Sequence, residues 1–139
     1  MNELLTKLKT VLEEGGYTCV LSDSERTLTS KERGILPLVL WLENGEELRG
    51  FSAADKIVGK AAAMLYVCMG VRAVHAAVLA EEGLKMLEKY GIETEYDVLT
   101  PHIVNRAGDG VCPMERAVSA VSDPAAGRQI LKSKVLHRE

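Results

Sequence analysis

The sequence predicts an α/β domain in which helices cover both faces of a sheet. Residues 55–70 are apolar on nearly every side, as expected for a central helix that is buried all round. The valine-rich run at 71–79 is typical of a strand buried on both faces. A helix at 81–90 and a strand at 92–99 repeat this order, which implies parallel strands joined by right-handed crossovers.

Length and composition indicate one globular domain spanning residues 1–139. The hydrophobic fraction of 47% and the charged fraction of 27% are ordinary for such a domain. The net charge is −3 and aromatic residues make up 4%. Because nucleic-acid binders usually present a basic face or an aromatic stacking platform, we expect neither DNA nor RNA as a partner.

The N-terminal stretch is charged and amphipathic, and it lacks the apolar region of a secretory signal. The longest apolar run, 61–69, is far shorter than the roughly 20 residues that span a bilayer. Cys19, Cys68 and Cys112 form no paired framework, which is typical of a reducing compartment. We therefore expect a cytoplasmic protein with no membrane partner.

The first third of the chain predicts a helix, a hairpin and a second helix. Leucines at helical spacing lead to a stop at Gly15, and short strands at 17–21 and 27–30 flank a polar turn. The segment 34–44 fits either a buried strand or a helix. Its leucine content, Pro37 near its start and the Asn-Gly pair after it favour the helix.

Helix starts further along the chain are marked by capping signals. Ser52 and Asp55 resemble a capping box before the central helix, and Asp55 alone is an equally good N-cap. Further helices are predicted to begin at Cys112, followed by proline, and at Asp123, also followed by proline. The last ten residues or so are expected to be frayed.

The N-terminus of the predicted 55–70 helix is the first candidate site. On a helix, Asp55 and Gly59 share one face, and Lys56 and Lys60 share the next. Unpaired N–H groups and two lysines favour a phosphate or carboxylate ligand, and Gly59 permits close approach. A purely structural role fits equally, with Asp55 as a cap, solvated lysines and Gly59 in packing. The pattern is not a Walker A loop, because Ala61 occupies the place of the Ser or Thr.

The second candidate site lies in the segment 105–115. Cys112 at a helix N-terminus has its thiolate favoured, which makes it a candidate nucleophile. Glu115 is the candidate proton carrier, and Asn105 and Arg106 in a glycine-rich loop are candidate anion ligands. The alternative is that Cys112 is a small packed residue and Glu115 a helix cap.

The histidines show no metal-binding spacing with one another or with the cysteines. His75, inside the buried strand, is interpreted as a hydrogen-bonded core residue. His102, beside the 105–115 loop, is the better candidate general base. We therefore expect neither a metal nor another cofactor.

Three phrases of the sequence resemble a known family: SKERGILPL at 30–38, DKIVGKAAAML at 55–65 and IVNRAGDGVCPMERAV at 103–118. They are similar to an uncharacterised prokaryotic domain family with a cytidine-deaminase-like fold. The resemblance covers nearly the whole chain. It implies a three-layer α/β/α sandwich whose mixed sheet has an N-terminal hairpin and parallel later strands.

Zinc deaminases of that fold begin the central helix with a His-Ala-Glu-type motif and place Pro-Cys-x-x-Cys after the next strand. Here Asp55-Lys56 and the segment 80–83 stand at these places, so both sets of zinc ligands are missing. The resemblance therefore implies no zinc and no ordinary deamination, but a retained pocket at the start of the 55–70 helix. The residues expected around it are Asp55, Lys56, Lys60, Arg106, Cys112 and Glu115.

Three functional hypotheses follow. The first is a zinc-free domain that binds a small anionic ligand, nucleotide-like or phosphorylated, at the start of the 55–70 helix. The second is an enzyme with Cys112 as nucleophile and Glu115 or His102 handling protons. The third is a non-catalytic scaffold that self-associates through a surface patch at 34–42, around Trp41, which leaves a homo-oligomer open.

Overall fold

A computed structural model of the chain describes residues 2–104, 107–108 and 110–136. The strands in these residues are β1 (Cys19–Ser22), β2 (Thr27–Ser30), β3 (Ser52–Val58), β4 (Ala73–Ala80) and β5 (Glu93–Thr100). The helices are α1 (Glu3–Gly15), α2 (Leu36–Glu43), α3 (Lys60–Met69), α4 (Glu81–Lys89), α5 (Pro113–Ala117) and α6 (Pro124–Leu136).

The strands form one mixed sheet in the order β2-β1-β3-β4-β5. Strand β1 is antiparallel to β2 and β3, whereas β3, β4 and β5 run parallel. Leu8 and Leu12 of α1 pack on Val20 and Ala54, whereas the neighbouring residue Leu21 joins the cluster around α3. Because successive strand residues point to opposite faces, α1 covers one face and α3 the other. The predicted α/β class, with helices on both faces of a mixed sheet, is confirmed.

The predicted central helix at 55–70 is too long at its N-terminal end, because α3 begins at Lys60. Asp55 lies in β3, where it pairs with Cys19 on one side and Ala76 on the other. The capping box is therefore wrong, since Ser52 opens a strand and Gly59 is the residue that caps α3. Hydrogen bonds to two neighbouring strands outweigh the local helical pattern.

Most other predicted elements are confirmed within one to three residues. Helix α1 ends at Gly15, and Gly16 adopts the left-handed conformation with φ 66°. The ambiguous segment at 34–44 is helical, with Pro37 in its first turn. Leu38 and Val39 of this helix are buried, whereas Leu40 is exposed and Trp41 is half-buried, so only part of the predicted surface patch at 34–42 lies at the surface.

The C-terminal tail is more ordered than its composition predicts. Helix α6 continues to Leu136, and Leu131 is fully buried against the core. The prediction of a frayed end is therefore wrong as far as Leu136, while residues 137–139 lie outside the described part of the chain. None of the helices that the structure describes is long and apolar enough to cross a membrane.

Close backbone packing positions the start of α3. Gly83 of α4 lies so near Gly59 that a Cβ added at residue 83 would be 3.0 Å from the carbonyl carbon and oxygen of Gly59. A larger residue at 83 would push the two helices apart. The first turn of α4 therefore passes directly over the turn from β3 into α3.

Candidate functional site

A carboxylate of the chain itself occupies the N-terminus of α3. Glu115 Oε1 accepts a hydrogen bond from the backbone N–H of Lys60 at 2.7 Å. Its Oε2 accepts one from the N–H of Ala61 at 2.8 Å. We refer to these two N–H groups as the amide pair. A helix N-terminus carries unpaired N–H donors and a partial positive charge, so a carboxylate that accepts two hydrogen bonds is well suited to this position.

Glycine at the cap of α3 leaves room for the Glu115 carboxylate. Gly59 provides no side-chain cap of its own. A Cβ at this position would overlap the Glu115 carboxylate. The sequence pattern predicted that Gly59 permits close approach, and the groups that approach it are Glu115 and the backbone-packed Gly83.

The short helix α5 brings Glu115 to this position. Pro113 opens the helix after Cys112, whose backbone N–H donates to the carbonyl of Ile103 at 2.9 Å. At the other end of α5, Lys60 Nζ donates to the carbonyl of Ser119 at 3.1 Å. The ammonium group predicted to meet a ligand is therefore also used to hold the α5 segment against α3.

Asp55 lies within the sheet and not at a helix N-terminus. Its Oδ2 accepts a hydrogen bond from the Tyr66 hydroxyl at 2.6 Å, and its Oδ1 accepts one from the N–H of Ile57 at 3.2 Å. Cys19 Sγ lies 3.1 Å from the same hydroxyl. Burial raises the pKa of Asp55 from 3.8 to about 6, although the hydrogen bond from Tyr66 acts in the opposite direction.

The remaining predicted residues are dispersed. Lys56 is exposed on β3, and its backbone N–H donates to the carbonyl of Thr18 at 3.0 Å. It does not share a helix face with Lys60, so the predicted placement of Asp55, Lys56, Gly59 and Lys60 on two adjacent faces of one helix is wrong. Asn105 and Arg106, the predicted anion ligands, lie outside the described residues.

The candidate catalytic pair is Cys112 and Glu115, and the contacts of Glu115 are structural ones. Cys112 is half-buried at the N-cap of α5. Each carboxylate oxygen of Glu115 accepts a hydrogen bond from the amide pair, so this group serves as the cap of α3 in this structure. His102, the alternative base, is exposed, and its carbonyl accepts a hydrogen bond from Thr100 Oγ1 at 3.3 Å.

His75 is buried as predicted, but its Nε2 does not make the predicted hydrogen bond to any residue that the structure describes. The nearest acidic groups are Glu95 and Asp97 of β5, which sequence reasoning did not select as functional. A sequence pattern that could have identified them is the alternation of acidic residues at 93, 95 and 97, which places three carboxylates on one face of a strand.

No group of three or more His, Cys, Asp or Glu side chains converges as metal ligands within the described part of the chain.

Comparison with known proteins gives a family without an assigned activity. No curated protein matches the chain. A solved structure does: the crystal structure at 2.70 Å resolution of a DUF1893 family protein, TM1506, from Thermotoga maritima. It is 29% identical, with a TM-score of 0.88, and the match covers 96% of this chain and 92% of that one. The family model for the domain of unknown function DUF1893 (TM1506) matches residues 7–135. The chain therefore belongs to the DUF1893 family.

Proposed function

We propose that this protein binds a small anionic metabolite, nucleotide-like or phosphorylated, at the amide pair of α3 in place of Glu115. The supporting observation is that the amide pair holds a carboxylate through two hydrogen bonds of 2.7 and 2.8 Å. Its geometry is therefore suited to a two-oxygen anion. A phosphate or carboxylate of a ligand presents the same pair of acceptor oxygens.

Glu115 is held by a segment that can be displaced. Helix α5 has five residues, and none of them is buried. Leaving the amide pair would expose the Glu115 carboxylate to water, which solvates it well. An incoming phosphate would replace both hydrogen bonds and add the attraction of Lys60, whose ammonium group is at the protein surface.

The cytidine-deaminase likeness stays a prediction. The family and the solved relative are described as a domain of unknown function, and neither description names a reaction or a ligand. The proposal of anion binding needs no deaminase chemistry. It depends on the amide pair, on Gly59 and on release of Glu115.

Phosphate rescue of a Glu115 variant tests this proposal. Glu115→Ala should lower the melting temperature in sodium chloride, because the amide pair loses its acceptors. Sodium phosphate or adenosine monophosphate at matched ionic strength should then restore most of the loss in a saturable manner. The wild type should respond more weakly, because the ligand must displace Glu115.

The matched control is Glu88→Ala, which removes an exposed carboxylate from α4. Because it keeps Glu115 on the amide pair, its melting temperature should respond to phosphate as weakly as that of the wild type. If phosphate and adenosine monophosphate stabilise neither the wild type nor Glu115→Ala beyond chloride, the amide pair does not accept external anions. Glu115 would then be a structural cap and the proposed function would be wrong.

A further inference from the structure

A polar concavity lies on the face of the sheet that α1 covers, opposite to the face that carries α3 and its amide pair. Helix α1 packs against β1, β3 and β4 and leaves space between itself and the edge strand β5. Two open hollows of about 510 Å³ each lie along this boundary. One is lined by Ser52, Arg72 and Glu93, and the other by Lys9, His75, Glu95 and Asp97. We refer to the two together as the acidic groove.

The floor of the acidic groove is a row of carboxylates. Glu93, Glu95 and Asp97 alternate along β5, so their side chains point to one face at intervals of roughly 6.7 Å. In the register of the sheet, Glu95 stands beside His75 of β4. With Glu3 of α1, the groove has four carboxylates against two cations, Lys9 and Arg72.

Two buried polar groups in the acidic groove make no hydrogen bond to the residues that the structure describes. His75 is 4% exposed and its Nε2 has no hydrogen bond, while Ser52 is 1% exposed and its Oγ has none. The His75 Nε2 atom lies 3.6 Å from Asp97 Oδ2, and its Nδ1 lies 3.7 Å from Glu95 Oε1. Both distances exceed a hydrogen bond. Buried polar atoms are nearly always paired, so these two indicate a ligand that supplies the missing partners.

One carboxylate already holds a cation supplied by the chain. Lys9 Nζ lies 3.0 Å from Asp97 Oδ1, and both side chains are more than a third exposed. The hydrogen bond from Lys9 lowers the pKa of Asp97, so this group is a carboxylate at neutral pH. An exposed ion pair of this kind contributes little to stability and is readily exchanged.

We infer that the acidic groove binds a linear aliphatic diamine or polyamine. Its ammonium groups would lie on Glu95 and Asp97, and the imidazole of His75, whose Nε2 is enclosed, would turn toward the groove to accept one N–H. Short methylene chains between ammonium groups match the spacing of carboxylates along β5. A further ammonium group of a longer polyamine would reach Glu93 and the Ser52 hydroxyl.

A metal ion does not fit the acidic groove as well. Glu95 and Asp97 face opposite ring nitrogens of His75, so the three groups do not converge on one point. An anion is disfavoured by the excess of carboxylates. An extended cation with several donors satisfies the separated acceptors individually.

Isothermal titration of the full chain with spermidine tests the inference. The wild type should bind spermidine saturably, and n-butylamine should bind at least about tenfold more weakly because it has one ammonium group. The double variant Glu95→Gln/Asp97→Asn should lose at least about tenfold in affinity. Glu88→Gln, which removes an exposed charge from α4 on the other face, should stay within about twofold of the wild type.

A pair of lysine variants separates a binding site from general charge attraction. Lys9→Met frees Asp97 and should tighten spermidine binding several-fold, whereas Lys89→Met, which removes an exposed charge from α4, should stay within about twofold of the wild type. This comparison decides the question if the double variant does not fold. Absence of saturable binding overturns the inference, as does equal binding by the wild type and the folded double variant. Saturable binding of magnesium chloride without spermidine would also overturn it, in favour of a metal site.

Discussion

The Tyr66 hydroxyl of α3 donates a 2.6 Å hydrogen bond to the Asp55 carboxylate of β3. This contact joins the central helix to the middle of the sheet, in a region where both side chains are buried. Cys19 of β1 lies against the same hydroxyl, so three elements share one polar cluster. Burial of a carboxylate at this position couples the stability of the fold to pH.

Asp55→Asn should remove a pH dependence from the stability of the fold. Burial raises the pKa of Asp55 to about 6, so between pH 4 and 6 the folded chain holds a proton that the unfolded chain has lost. The stabilisation by protonated Asp55 is complete below the unfolded pKa and is lost as the pH rises through 6. From below the unfolded pKa to well above pH 6, the asparagine variant should gain about 3 kcal/mol relative to the wild type, measured by urea unfolding.

Tyr66→Phe provides the complementary measurement. The hydrogen bond from Tyr66 holds the pKa of Asp55 down, so its loss should move the loss of stability to higher pH. At neutral pH this variant should be less stable than the wild type by about 1–3 kcal/mol, since a buried carboxylate loses its donor. Parallel pH profiles for the wild type and both variants would show that Asp55 does not titrate in this range.

Loss of Glu115 should loosen the start of α3 more than the rest of the fold. Glu115→Ala leaves the amide pair without acceptors and should cost about 1–3 kcal/mol in chloride, typical of charge-assisted hydrogen bonds and helix caps. Hydrogen exchange should accelerate first at the amides of Lys60 and Ala61. Glu88→Ala should change the unfolding free energy by less than about 0.5 kcal/mol. Unchanged exchange at the amide pair would contradict the observed capping contact.

The fold class could be predicted because its signals are local. The apolar strand before α4, the amphipathic pattern of α4 and the glycine stops are readable within short windows, and they give the order of β4, α4 and β5 correctly. Strand β3 could not be read in this way, because Ala53 and Ala54 are weak strand formers and the strand is held by pairing with β1 and β4. The local pattern therefore predicts a helix at Asp55, where the structure has a strand.

The candidate site was predictable in its parts but not in its arrangement. Local patterns identify four of the candidate site residues, because each lies at or near a predicted helix start: Gly59, Lys60, Cys112 and Glu115. Glu115 lies 55 positions after Lys60 in the chain, and no local pattern indicates that one helix start supplies the cap of another. His75 was correctly predicted to be buried, but the absence of its hydrogen bond depends on the positions of β5 side chains.

Gly83→Ala should destabilise the fold although alanine is the better helix former. The added Cβ would lie 3.0 Å from backbone atoms of Gly59, so α4 must move away from the start of α3. Such overpacking costs about 1–3 kcal/mol, against about 1 kcal/mol gained from helix propensity. Glu82→Ala on the same turn is exposed and should be nearly neutral in urea unfolding. A more stable Gly83→Ala variant would show that the two backbones are further apart than described.

Alkylation rates should rank the three thiols as Cys112, then Cys68, then Cys19. Cys19 is 3% exposed, and burial with the nearby Asp55 raises the pKa of its thiol well above the usual value. Burial also raises the pKa of Cys68, whose Sγ donates to the carbonyl of Pro124 at 3.5 Å. Cys112 is half-buried at the N-cap of a short helix, and its thiol makes no hydrogen bond to the part of the chain that the structure describes.

Mass spectrometry after timed iodoacetamide labelling would give the three rates separately. Cys112→Ser should abolish the fastest labelling, and Cys19 should be labelled only at the rate of unfolding, because its thiol has no path to reagent in the folded sheet. A native Cys112 labelled no faster than Cys68 would count against any role as a nucleophile. A fast Cys112 whose rate is unchanged in Glu115→Gln would show that the two residues act separately, as expected while Glu115 is bonded to α3.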